Sequence, residues 1–168
     1  MRKNIVLIGM SAAGKSTIGV VVAKRLGYDF LDTDILIQKK ENALLKDIIN
    51  KKGIEGFLEI ENIVNKDVNV ENTVIAPGGS VVYCQEAMEH LKKNSVVVYL
   101  EVPFKVLENR IKNTASRGIV MKENQTLEDV FNERKSLFEK YADITINEKN
   151  HSLEEITRMV LESLEGRI

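Results

Sequence analysis

The run Gly9-Met10-Ser11-Ala12-Ala13-Gly14-Lys15-Ser16 satisfies G-x-x-x-x-G-K-[ST] at every specified position. It follows the apolar stretch Ile5-Val6-Leu7-Ile8 and opens a segment in which Ile18, Val21, Val22 and Leu26 share one helical face. Strand, glycine-rich turn and helix in that order are what separate a phosphate-binding loop from a chance string match. Gly9 and Gly14 let the backbone wrap so closely that several N–H groups converge on one anion. The helix beginning near Lys15 adds the positive end of its dipole. Lys15 brings a point charge for the terminal phosphates, and the Ser16 hydroxyl suits Mg²⁺. The expected nucleotide contacts are therefore Gly9, Met10, Ser11, Ala12, Ala13, Gly14, Lys15, Ser16 and the adjoining Thr17, with a nucleotide's phosphates and Mg²⁺ as the implied ligands.

The rest of the chain is patterned to match. Short β-branched runs at Asn4–Ile8, Asp29–Asp32, Thr73–Ala76, Ser95–Leu100 and Asp143–Ile146 alternate with longer segments of helical period. That alternation predicts βα units, a parallel sheet and an α/β fold. Leu127, Val130, Phe131, Leu137, Phe138 and Tyr141 form one apolar stripe, and Leu153, Ile156, Val160 and Leu164 another. At 168 residues, with no repeat, low-complexity tract or Pro/Gly linker, the chain reads as one domain over residues 1–168. The least patterned stretch, 113–125, is the candidate mobile lid. A formal charge of −1 provides no footprint for sequence-independent binding to nucleic acid or an anionic membrane. One cysteine, Cys84, excludes an internal disulfide framework and fits a reducing compartment. The opening apolar run is shorter than the roughly 7–15 residues of a secretion signal core, so the start reads as a core strand of a cytoplasmic protein.

Beyond the loop, the second strand ends in Asp32-Thr33-Asp34, at the sheet edge where α/β proteins bind ligands. One carboxylate there can hold Mg²⁺ through water, and the other can orient or deprotonate an acceptor hydroxyl. The competing reading makes Asp34 only the cap of a helix starting at Ile35. Arg134 falls on the apolar stripe of its own helix, so it must snorkel, pair or reach a ligand. Glu61, which intrudes on the Phe57/Ile60/Val64 face, is the candidate ion-pair partner. Arg117 lies in the unpatterned stretch and is either an arginine that closes over a transferring phosphate or a solvated loop charge. Gly78 and Gly79 follow the third strand and either admit a substrate to backbone amides or make an ordinary turn.

Taken in order, the phosphate loop Gly9–Thr17, Asp32-Thr33-Asp34, Gly53–Phe57, Gly78-Gly79, Arg117, and Glu133-Arg134 through Ala142-Asp143 resemble the shikimate kinase family. The resemblance implies a P-loop kinase fold with a five-stranded parallel sheet, a mobile lid around Arg117 and a monomer acting on a small-molecule hydroxyl. It implies Mg·ATP as phosphoryl donor and shikimate 3-phosphate as product, within aromatic amino acid biosynthesis. It further suggests Asp34 at the acceptor hydroxyl, Asp32 near magnesium, Gly78 and Gly79 against the substrate, and Arg134 on its carboxylate.

Three positions depart from the family pattern. An arginine that holds the substrate carboxylate is Leu58 here, the third consecutive glycine is Ser80 (with Pro77 ahead of the pair), and the lid's arginine–proline is Arg117-Gly118. A charge-assisted arginine–carboxylate contact contributes about 1.5–3 kcal/mol, so its loss weakens an anionic acceptor by roughly 10–100-fold. Either Arg134 or a lysine such as Lys46 carries that anion, or the acceptor is another hydroxylated metabolite or nucleotide. A nucleotide-dependent switch is the reading from a different class. It is disfavoured because Asn65-Lys66-Asp67-Val68 lacks the final aspartate of N-K-x-D, the guanine-binding pattern.

Overall fold

The computed structural model describes residues 3–113 and 118–168. Its five strands are β1 (Asn4–Ile8), β2 (Asp29–Asp32), β3 (Thr73–Ala76), β4 (Ser95–Glu101) and β5 (Ile144–Asn147), all parallel in the order β2-β3-β1-β4-β5. Among the described residues seven α-helices flank them: α1 (Lys15–Leu26), α2 (Thr33–Glu41), α3 (Leu45–Lys66), α4 (Gln85–Lys93), α5 (Phe104–Lys112), α6 (Leu127–Tyr141) and α7 (Leu153–Leu164).

A central parallel strand must bury both faces, and β1 is buried at every position. Ile5 and Leu7 pack with Ile18 and Val22 of α1 and Ile156, Val160 and Leu164 of α7. Val6 and Ile8 point the other way, into a core with Met88 and Leu91 of α4 and Phe138 of α6. Tyr99 of β4 stacks on Phe138 with ring centroids 5.0 Å apart. A third cluster, Ile37, Ile48, Phe57, Val64 and Val120, joins α2 and α3 to the segment before α6.

Three strand ends differ from expectation, each by one residue, β5 ending at Asn147 instead of Ile146. β4 runs on to Glu101, which pairs with Asn147, and β5 starts at Ile144 instead of Asp143. Asp143 still donates its backbone N–H to the Val97 carbonyl at 2.8 Å. The Val97 N–H, however, goes to the Asp143 side-chain carboxylate at 3.0 Å instead of to a backbone carbonyl, so the regular ladder starts one residue later. Within α3 the backbone departs from helical geometry at Gly53 (φ 72°), where the left-handed conformation favours glycine. No helix of the described residues is long and apolar enough to cross a membrane.

Candidate functional site

The loop after β1 keeps glycine where space and torsion demand it. A side chain on Gly9 would begin 2.9 Å from the Leu100 carbonyl oxygen, and Gly14 caps α1 at φ 89°. Lys15 is nearly buried, and its Nζ donates to the carbonyls of Gly9 and Met10, both at 2.9 Å. The ammonium is thus held across the loop by the loop's own backbone. One helical step on, Ser16 Oγ donates to Asp32 Oδ2 at 2.9 Å. Among the described residues no three His, Cys, Asp or Glu side chains converge to hold a metal unaided. A hydroxyl beside one carboxylate nevertheless fits Mg²⁺, which retains waters and phosphate oxygens and needs only one or two protein ligands.

Asp32, not Asp34, caps α2: its Oδ1 accepts the Asp34 N–H at 3.0 Å, and the helix begins at Thr33. The capping alternative therefore does not account for Asp34. Its side chain lines a cleft of about 450 Å³ that also takes in Ser11, Lys15, Ser16, Thr17, Asp32, Pro77 and Gly79. Phosphate loop, carboxylates and the turn after β3 thus share one concavity at the carboxyl ends of β1, β2 and β3, where open α/β sheets bind ligands.

The turn after β3 is packed to the limit. A Cβ on Gly79 would lie 2.9 Å from Ser11 N and 3.3 Å from Arg134 Nη1. A Cβ on Gly78 would lie 2.6 Å from Glu61 Oε1 and 2.8 Å from Asp34 Oδ1. Three of these four distances are below 3.0 Å, far shorter than ordinary van der Waals separation, so any larger residue at either glycine displaces the groups behind it.

Arg134 is 1% exposed. Its Nη2 donates to the Val120 carbonyl at 2.5 Å, its guanidinium carbon lies 5.3 Å from the Tyr83 ring centroid, and Nε has no hydrogen-bond partner. The expected ion pair with Glu61 is replaced by a different arrangement. Glu61 is fully buried, and its Oε2 accepts from Ser80 Oγ at 2.5 Å. Burial pushes the Glu61 carboxyl up to about 7; the Ser80 hydrogen bond opposes that shift, Asp34 adds to it, and Arg134 and Lys15 oppose it through their fields.

Leu58 does not line the cleft. It borders a separate hollow of about 280 Å³ with Ile54, Glu55, Tyr83, Val120 and Glu133. Lys46, in the first turn of α3, does line the cleft, as does Gly118, which sits so close that a side chain there would meet Lys46 Cα at 3.2 Å. Arg117 lies outside the described residues.

Two side chains at this site carried no signal in the sequence. Arg110 of α5 donates from Nη1 to the Ala12 carbonyl at 3.2 Å and to Glu148 Oε2 at 3.3 Å, which ties the phosphate loop to the end of β5. Glu148 is buried, and burial raises its proton affinity while the Arg110 charge opposes that. Arg110 sits among surface residues of an amphipathic helix, and Glu148 follows a strand. Only the packing of α5 over the loop brings them together.

The shikimate kinase family model matches residues 11–165. A shikimate kinase of Sulfurihydrogenibium sp. (strain YO3AOP1) is 34% identical over 166 residues, covering 98% of this chain and 99% of the relative. Among solved structures, the shikimate kinase of Acinetobacter baumannii in complex with shikimate superposes with a TM-score of 0.90 at 30% identity, covering 99% of this chain and 95% of that one. The Aquifex aeolicus shikimate kinase does so with a TM-score of 0.83 at 33% identity, covering 98% and 97%.

Proposed function

Because the chain belongs to the shikimate kinase family, we propose that it transfers the γ-phosphoryl of ATP to a hydroxyl of shikimate, giving shikimate 3-phosphate and ADP. Family membership makes it an ATP-dependent phosphotransferase with an alcohol acceptor and sets aside the switch reading. The observation that carries the finer assignment is the single cleft shared by Lys15, Ser16, Asp32, Asp34 and Gly79.

In this reading the residues of Gly9–Thr17 bind the triphosphate through backbone N–H groups and the N-terminus of α1. Lys15 offsets the negative charge that spreads over the transferred group. Ser16 and Asp32 would hold Mg²⁺, which supplies charge neutralisation between the phosphates. Asp34 holds the attacking hydroxyl and takes up its proton as the new O–P bond forms and the bond to the ADP oxygen breaks. Gly78 and Gly79 let the acceptor approach the backbone, and Arg134 faces its carboxylate. Arg117 is proposed from the family resemblance to close over the transferring phosphate.

The test is a coupled assay of ADP release with and without shikimate. A shikimate-dependent rate well above the acceptor-free rate supports the assignment, and equal rates reject shikimate as acceptor. Leu58 favours a second reading in which the acceptor is another hydroxylated metabolite or a nucleotide. Lys46 then supplies charge that the missing arginine does not. Screening a panel of hydroxylated metabolites for ADP formation distinguishes the two.

A further inference from the structure

Glu61 occupies a place that the proposed chemistry does not use. Its side chain is fully buried behind Gly78, and only one of its two oxygens is satisfied: Oε2 accepts from Ser80, while Oε1 has no hydrogen-bond partner. Oε1 and Asp34 Oδ1 lie 2.6 and 2.8 Å from the same point, the position a Gly78 Cβ would take, so the two oxygens are at most about 5.4 Å apart. A side chain at position 78 would collide with both oxygens.

The charged and titratable groups around Glu61 come from five directions. Asp34 faces it from α2, Arg134 from α6, Lys15 from α1 and Cys84 from the start of α4, while Ser80 in the turn after β3 supplies its one hydrogen bond. A second carboxylate buried this close to Asp34 is opposed by desolvation and by like charge. Among the described residues Arg134 makes no ion pair: its guanidinium donates to the Val120 carbonyl and lies over the Tyr83 ring.

We propose that Glu61 is a positioning residue whose proton sets the affinity of the site for an anionic acceptor. Protonated, it leaves the Arg134 charge uncompensated and available to an acceptor carboxylate across the Gly78-Gly79 wall. Ionised, it neutralises Arg134 through space, repels that carboxylate and adds to the charge of Asp34. The inference rests on the acceptor being a hydroxy acid such as shikimate. Leu58 sharpens it: with leucine in the position of the family's arginine, Arg134 is the buried cation whose charge Glu61 modulates. Burial raises the group's proton affinity to about 7, so the exchange falls in the neutral range.

The experiment measures KM for shikimate, KM for ATP and kcat from about pH 6 to about pH 8 in the parent, Glu61→Gln and Ser80→Ala. In the parent, KM for shikimate should rise on the order of tenfold across the range while KM for ATP does not follow it, a typical coupling between two sites. Glu61→Gln, which is permanently neutral, should hold the low-pH value throughout. Ser80→Ala removes a hydrogen bond that favours the ionised form, so it should move the midpoint to higher pH. A Glu61→Gln enzyme that keeps the parent's pH dependence, or a Ser80→Ala midpoint that does not move, overturns the proposal. Carboxyl ¹³C NMR of the unliganded protein needs no acceptor and separates the two failures. A glutamate signal titrating near neutrality that Glu61→Gln deletes, and that shikimate shifts to higher pH, supports the coupling. A Glu61 signal that titrates at the ordinary value refutes it. A near-neutral titration that shikimate leaves unmoved, with no shikimate-dependent ADP release, rejects the acceptor assignment and with it the proposed role.

Discussion

Ser16 Oγ and Asp32 Oδ2 are joined at 2.9 Å, while the other oxygen of the same carboxylate holds the first turn of α2 through the Asp34 N–H. One aspartate therefore links the phosphate loop to the helix that carries Asp34. Its electrostatic and structural roles can be separated by substitution.

Asp32→Asn keeps an oxygen for the cap and removes the charge. It should raise the Mg²⁺ concentration needed for half-maximal rate while leaving the melting temperature near that of the parent. Asp32→Ala removes both and should also lose about 0.5–2 kcal/mol of stability, the usual cost of a lost N-cap. Denaturant melts of both variants beside an Mg²⁺ titration of ADP release check the split.

Lys15→Met leaves the loop's backbone N–H groups in place but removes the ammonium that lies across the Gly9 and Met10 carbonyls. The expected loss is about 10²–10³-fold in kcat, the scale for deleting one preorganised charge-stabilising donor. Steady-state kinetics at saturating ATP provide the readout.

Gly78→Ala inserts a methyl group 2.6 Å from Glu61 Oε1 and 2.8 Å from Asp34 Oδ1. Overpacking of this kind costs about 1–3 kcal/mol, and here it also displaces the proposed acceptor-holding carboxylate. We expect a lower melting temperature and a larger rise in KM for shikimate than for ATP, measured by thermal unfolding and two-substrate kinetics.

Leu58→Arg restores a guanidinium beside Tyr83 and Val120, in a hollow of about 280 Å³ that has room for it. If shikimate is the acceptor and Arg134 carries its carboxylate alone, kcat/KM for shikimate should improve by roughly 10–100-fold. A gain from near zero identifies the parent as a kinase of something else. No gain over an already high parent activity shows that the second guanidinium is dispensable.

Folding should carry its own pH signature. The Glu61 carboxyl is raised from 4.5 to about 7, so across that window the native state keeps a proton that the unfolded chain has released. The native state then binds more protons, and stability falls as pH rises through the window, by on the order of 3 kcal/mol in all. Glu61→Gln should flatten this component, seen as a smaller difference between unfolding free energies measured near pH 5 and near pH 8 than in the parent.

The local elements were legible because local patterns specify them. Four strongly specified positions and an apolar strand fix the phosphate loop, and β-branched runs and helical stripes place all five strands to within a residue. The exceptions are instructive. Asp143 falls just outside β5 although its backbone N–H bonds to Val97, because the return bond from the Val97 N–H goes to the Asp143 side chain, a long-range hydrogen bond that no period reports. Whether Asp32 or Asp34 caps α2 turns on which carboxylate can bend back to a backbone N–H and which points into the cleft.

By itself, then, the sequence determined the α/β class, the nucleotide-binding loop and the identity of the residues at its rim, since propensity, hydrophobic period and glycine placement act over a few neighbouring positions. Tertiary structure alone decided how residues far apart in the chain share charge. It gave Glu61 to Ser80 instead of to Arg134, set Arg110 and Glu148 over the loop, and turned Leu58 away from the cleft that Lys46 lines. Hydrogen bonding and desolvation depend on distances between packed helices, and those distances exist only once the sheet has assembled.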